Sequence, residues 1–321
     1  MTMENCTNTS SHLKHVTLTD VYVSVFETVL LSISFVLNLI IVISVYRSPR
    51  LHTFSNIFVV ALAVSDILFA AAYEIPSAAV LYIASTHQEF HFPLALQCMC
   101  LYLSFCSMIC SRCCHLVVSV ERWLYIAWPF VHPRVITTKS TICCLIFVWM
   151  ISMLSGLQSI TDCRYSYVEF MIGYATVDAS VHFVAGGLML AIYVHIGYII
   201  GRQSVAIFKS RLAANSNDTG TINRRITCNI IRLPVTIFGT FFLFVTPFVI
   251  DNFYVYVIIG SPSFYRNNIA YDVLRVISLF HTWINFFVYV LQDKDFRSVL
   301  KCCLIKIGKG ILRGRIHPII N

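Results

Sequence analysis

Seven apolar runs, each long enough to cross a bilayer, constrain this chain more than any other feature. They fall at residues 21–46, 55–83, 97–126, 141–160, 176–201, 227–259 and 270–291. A hydrocarbon core about 30 Å thick takes about 20 mainly apolar residues per helical crossing. The runs are continuous rather than alternating, and backbone in lipid must satisfy its hydrogen bonds internally, so they read as helices and not as barrel strands. Composition agrees: 58% of the 321 residues are hydrophobic, 12% are charged and the mean hydropathy is +0.76, whereas a soluble domain carries about a quarter charged residues. The expectation is an all-α membrane protein, a seven-transmembrane helix bundle over residues 21–292. A 1–20 segment precedes it and a 293–321 tail follows.

Basic side chains give the bundle a direction. With the loops assigned alternately, eighteen fall on one side: Arg47 and Arg50, Arg122, Arg134 and Lys139, the flanks of the 203–224 loop, and the tail from Lys294 to Arg315. The other side holds Lys14, Arg164, Arg266 and, near a helix end, Arg275. Excess Lys and Arg mark the cytoplasmic face, so the N-terminus is expected outside and the C-terminus in the cytosol of a multi-pass cell-membrane protein. The net charge of +8 then reads as topology and attraction to anionic inner-leaflet lipid, not as nucleic-acid binding. The first 20 residues lack a charged stretch followed by a small-residue cleavage site, and no cleaved leader is expected. Asn5 and Asn8 each begin an Asn-X-Ser/Thr sequon in the outer segment and are expected to carry glycan. Asn217 begins another in an inner loop and should stay bare.

Thirteen cysteines resemble a metal or disulfide framework until they are placed on the runs. Cys98, Cys100, Cys106, Cys110, Cys113 and Cys114 crowd the third, where most read as small buried hydrophobes, and no metal site is expected from them. Cys98 falls at the outer end, where oxidation is permitted, and Cys163 lies in the next outer loop. A bond between these two would staple that loop over the bundle. Cys100 competes, and sequence alone does not fix connectivity.

Ionisable groups inside a span are expensive unless paired or wetted. Asn38, Asp66 and Asn285 sit in mid-span and are expected to share one polar cluster. Glu27, Glu74, Asp251, Asp272 and Arg275 lie nearer the outer ends, where they either line an outward cavity or reach to the interface. Glu121 and Arg122 stand side by side where the third run meets the cytosol.

Several motifs, in order and at matching spacings, resemble those of rhodopsin-like (class A) G protein-coupled receptors. Asn38 in L37-N38 resembles the first-helix asparagine, and Asp66 in L62-A63-V64-S65-D66 the second-helix aspartate. E121-R122-W123, with Pro129 beyond it, is similar to the acidic-Arg-aromatic motif and its loop proline. Trp149, Pro247 and N285-F286-F287-V288-Y289 fall where the fourth, sixth and seventh helices carry their own markers, and Phe296 opens a segment similar to the short amphipathic eighth helix.

The resemblance implies a receptor, not an enzyme, that carries an extracellular signal to a heterotrimeric G protein. A seven-span channel or transporter is the alternative. Arg122 would be held by Glu121 at rest and would pack toward the G protein once the sixth helix swings out; Trp123, Asn285 and Tyr289 belong to the same switch. Asp66, Ser111 and Asn285, with Asn38 nearby, would form a core polar site for Na⁺ as an allosteric ion, and no other cofactor is implied. Arg112, next to Ser111, is expected to replace or repel that ion and so to weaken any sodium response. The pattern departs from the family at Val245, in place of the sixth-helix tryptophan, at Phe286, in place of the seventh-helix proline, and at Thr227, where many relatives have an acidic partner for the arginine. Replacing that proline removes a helix-distorting element. No lysine lies in the seventh run and Ser104 stands where amine receptors carry an aspartate, which excludes retinal and argues against a monoamine. A small molecule, lipid or short peptide is left, with Glu74, Ser104, Asp251 and Arg275 as the candidate pocket. The tail from Asp295 to Lys306 reads as an amphipathic helix on the inner leaflet, with Cys302 and Cys303 as candidate palmitoylation sites.

Overall fold

The computed structural model describes residues 17–86, 93–162, 167–214, 219–260, 269–292 and 294–301. They form α1 (Leu18–Arg47), α2 (Phe54–Thr86), α3 (Leu94–Ala127), the short α4 (His132–Val135), α5 (Thr138–Asp162), α6 (Tyr167–Ala214) and α7 (Thr219–Phe253), which runs on into a π-helical turn, Tyr254–Ile259. α8 (Ile269–Leu279) and α9 (His281–Gln292) follow, then α10 over 294–301. Six of the helices are long and apolar enough to cross a membrane, so the architecture is an all-α, multi-span membrane bundle.

Local chemistry sets the helix ends. Thr17 caps α1 through a capping box: its Oγ1 accepts from Asp20 N at 3.2 Å while its own N–H donates to Asp20 Oδ2 at 2.8 Å. At the far end of α7 the π-helical turn stops at Gly260, whose φ of 65° is one that a side chain would strain. Two helices overrun their apolar cores. α6 continues to Ala214 and α7 begins at Thr219, so most of the inner loop expected at 203–224 is helix. Polarity there marks only the end of the membrane, because Arg, Gln, Lys and Ala remain good helix formers beyond it.

The seventh run departs most from expectation. The sequence implies one continuous helix over 270–291, relieved of its proline, but the chain breaks at Phe280 into an 11-residue α8 and a 12-residue α9. Three side-chain bonds to backbone carbonyls around the turn account for the break. Ser278 Oγ donates to Arg275 O at 2.7 Å, Thr282 Oγ1 donates to Leu279 O at 2.9 Å, and His281 Nδ1 donates to Ser278 O. They take up carbonyls of the turn, as hydroxyl and imidazole groups do when they compete with the backbone. The ladder tightens in response: Phe280 N bonds Ile277 O at 3.2 Å and Trp283 N bonds Phe280 O at 3.1 Å.

α3 runs through the centre, packing on α2, α5, α6 and α7, and the ring closes where α8 and α9 return to α1. Its middle, Ile109, Cys110 and Cys114, is fully buried, whereas Ile146, Phe147 and Leu154 of α5 face outward. Phe296 of α10 is buried in a cluster with Ile41, Val59 and Phe286, meeting Phe286 edge-on at 6.2 Å. The amphipathic segment was expected to run to Lys306, of which 302–306, including Cys302 and Cys303, lie outside the described residues.

Candidate functional site

The C-terminal end of α3, expected on the inner side, carries a closed polar node. Ser55, in the first turn of α2, faces the last turns of α3 and is shared by both charges: its Oγ donates to Glu121 Oε2 at 2.8 Å and accepts from Arg122 Nη2 at 2.8 Å. Glu121, 6% exposed, also lies 3.3 Å from Arg122 Nε, and its Oε1 accepts from His132 Nε2 of α4 at 3.0 Å. Arg122 is thereby turned toward the first turn of α2. Trp123 points to the other side, its Nε1 donating to His195 Nδ1 of α6 at 2.8 Å. The side chains of Tyr289 and Thr227 lie outside the described residues.

One level deeper lies the expected polar cluster, with one member displaced. Asn285 Nδ2 donates to Asp66 Oδ2 at 3.0 Å, and both residues are buried. Asn38 instead bonds backbone: its Nδ2 reaches Thr282 O at 3.1 Å, one turn before Asn285, and Ser34 O at 3.0 Å. Ser111 Oγ and Asn38 Oδ1 are buried without a hydrogen-bond partner among the described residues.

Arg112 corrects the sequence reading. Its guanidinium does not turn to Asp66; Nη1 bonds Oδ1 of Asp178 on α6, in the apolar interior. Asp178 was not singled out in the sequence, although a buried arginine in mid-span demands an anion somewhere in the bundle. Three histidines were overlooked in the same way. The rings of His115, His182 and His281 surround Phe241 of α7, with centroids 4.8, 6.0 and 5.5 Å from it. His182 lies one turn beyond Asp178, and its Nε2 meets Thr246 Oγ1 at 2.9 Å. The available signal was spacing: Arg112 and His115 at i, i+3, and Asp178 and His182 at i, i+4, share faces of their helices.

The charged groups expected near the outer ends are also paired rather than free. Glu27, 3% exposed, does not reach to the interface; Arg275 Nε lies 2.8 Å from its Oε1, and Ser77 Oγ donates to its Oε2 at 3.2 Å. Arg275 further holds Asp272 at 3.3 Å and lies over the Tyr271 ring at 5.6 Å. Glu74 is half-buried on α2, with Ser32 of α1 near it. Ser104 and Asp251 are half-buried on α3 and α7. Cys98 is in a disulfide, while Cys100 is free and buried; Cys163 lies outside the described residues, as do Asn5 and Asn8.

Residues 37–289 match the 7 transmembrane receptor (rhodopsin family). The octopamine receptor beta-1R of Drosophila melanogaster is 29% identical over 201 residues, 55% of this chain and 37% of that protein. The melatonin receptor type 1A of Phodopus sungorus is 22% identical over 285 residues, 84% and 76% of the two chains. The alpha-1A adrenergic receptor of Canis lupus familiaris is 23% identical over 205 residues, 59% and 65%. The matched length is thus about a third of the first of these proteins and about three quarters of the second.

Proposed function

The chain belongs to the rhodopsin family of seven-transmembrane receptors, and from that premise we propose that it passes an extracellular ligand's signal to a heterotrimeric G protein through Arg122. The observation that carries this is the inner node, in which Ser55 and Glu121, the latter held in turn by His132, keep Arg122 folded back. A guanidinium held by two side-chain groups is released when either moves, and its planar fork then suits carbonyl and carboxylate acceptors on a docking protein. Nothing in the family match favours a channel or transporter.

In this reading α8 and α9 together make the seventh crossing, with the N-terminus outside and α10 on the inner leaflet. The Cys98–Cys163 bond staples the outer loop, Asn5 and Asn8 carry glycan, and Cys302 and Cys303 are acylated. Among the relatives, two are named for octopamine and melatonin. Ser104, in place of an aspartate, argues that this chain's ligand is not a monoamine but another small molecule, a lipid or a short peptide. It would enter where Glu74, Ser104, Asp251 and Arg275 mark the outer half. Asp66, Ser111 and Asn285 supply the oxygen donors that suit Na⁺, and Arg112, engaged by Asp178, leaves that site to the cation. Sodium would favour the resting arrangement by binding it preferentially.

The test is basal G protein activation in transfected cells, parent against Arg122→Ala at matched surface expression. Loss of signal in the variant is expected; equal signal from both would overturn the proposal.

A further inference from the structure

Arg112 and Asp178 form an ion pair between α3 and α6, and each residue is at most 2% exposed. Only Nη1 of the guanidinium is engaged; Nε and Nη2 have no hydrogen-bond partner among the described residues. A carboxylate and a guanidinium bind most strongly through a two-nitrogen fork, and donors left unmade in an apolar interior are costly. The contact is therefore held short of its strongest form. Nearby, His182 Nδ1 is likewise buried without a partner among the described residues, while the ring stacks on Phe242 of α7 at 4.6 Å.

Other polar links join the same two helices. Toward the inner end, Ser119 Oγ meets Tyr193 OH at 2.8 Å and Trp123 bonds His195. In this arrangement Arg122 is folded back on Glu121 and Ser55, so the Arg112–Asp178 contact coexists with the closed inner node.

We propose that the Arg112–Asp178 pair is a tether that holds α3 to α6 in the signalling-silent arrangement, the two being positioning residues that set basal activity through Arg122. A contact biases a conformational equilibrium only by the difference it makes between two arrangements. A bond through one nitrogen supplies that difference, because a helix shift of about 1–2 Å breaks it and parts two buried charges.

The inference rests on the coupling role of Arg122, so the test carries its own control. Full-length parent, R112M/D178L, the swap R112D/D178R, and each of these with Arg122→Ala are compared for G protein nucleotide exchange per surface receptor without ligand. Replacing a buried pair by apolar residues of similar size is often neutral for folding, so R112M/D178L should reach the surface. Its basal exchange should rise at least about fivefold, with the swap within about twofold of the parent, the lower range of conformational coupling. Parental exchange by R112M/D178L overturns the tether, as does a swap as active as the apolar variant. Absence of R112M/D178L from the surface also overturns it, because the pair would then be a folding requirement. A rise that survives Arg122→Ala instead fails the coupling role of Arg122.

Discussion

The outer pair of Glu27 and Arg275 yields a stability prediction with a built-in asymmetry. Arg275→Met leaves Glu27 buried, its Oε1 without the guanidinium and only Ser77 donating to the other oxygen. Stranding a buried charge costs about 3 kcal/mol or more. Glu27→Leu should cost less, about 1–2 kcal/mol, because Arg275 is partly exposed and keeps Asp272 at 3.3 Å and the Tyr271 face. The double replacement removes both charges, so it should recover about 2 kcal/mol relative to the sum of the single losses. Thermal unfolding of the solubilised receptor, followed by a thiol-reactive dye, reads the cycle. At roughly 2–4 °C per kcal/mol for a chain this large, Arg275→Met should lower Tm by about 6–12 °C. Equal single losses, or losses that add to within about 0.5 kcal/mol, would refute the claim that these residues are coupled.

Three further outcomes follow from packing and from the inner node. A Cβ at Gly156 would lie 2.3 Å from Cys106 Sγ and 2.8 Å from the Tyr102 ring, while one at Gly187 meets nothing within 4 Å. The same melting assay should therefore show Gly156→Ala losing about 1–3 kcal/mol and Gly187→Ala within about 1 kcal/mol of the parent on the stabilising side. Ser55→Ala removes the hydroxyl shared by Glu121 and Arg122; losing about 1.5 kcal/mol of charged hydrogen bonding from the closed node should raise basal exchange on the order of tenfold. Phe296→Ala deletes the buried anchor of α10, a loss of about 3 kcal/mol that so short a helix cannot absorb. Amide exchange over 294–301 should accelerate while α1 stays protected.

Sequence made the bundle legible because lipid imposes one rule on every span, and hydropathy reports that rule directly. It brought Asp66 together with Asn285, which the hydrogen bond between them matches, and set Glu121 beside Arg122, which the ion pair matches. It missed Asp178 because one carboxylate in an apolar run has no visible partner until α3 and α6 are brought side by side, 66 residues apart in the chain. It set Arg112 against Asp66 because neighbours along a chain are easily taken for neighbours in space; Ser111 and Arg112 point about 100° apart on a helix. The break at Phe280 was hidden for another reason. Proline is the familiar helix breaker, whereas Ser278, His281 and Thr282 distort the turn only through which carbonyls they bond.

The central claim is that Arg122, released from Glu121 and Ser55, engages a G protein. The most direct measurement is nucleotide exchange on purified heterotrimers by receptor reconstituted in lipid vesicles, comparing Ser55→Ala with Ser55→Ala/Arg122→Ala. The account predicts raised exchange in the first and its loss in the second at equal receptor density. Exchange that stays raised without Arg122 would contradict it.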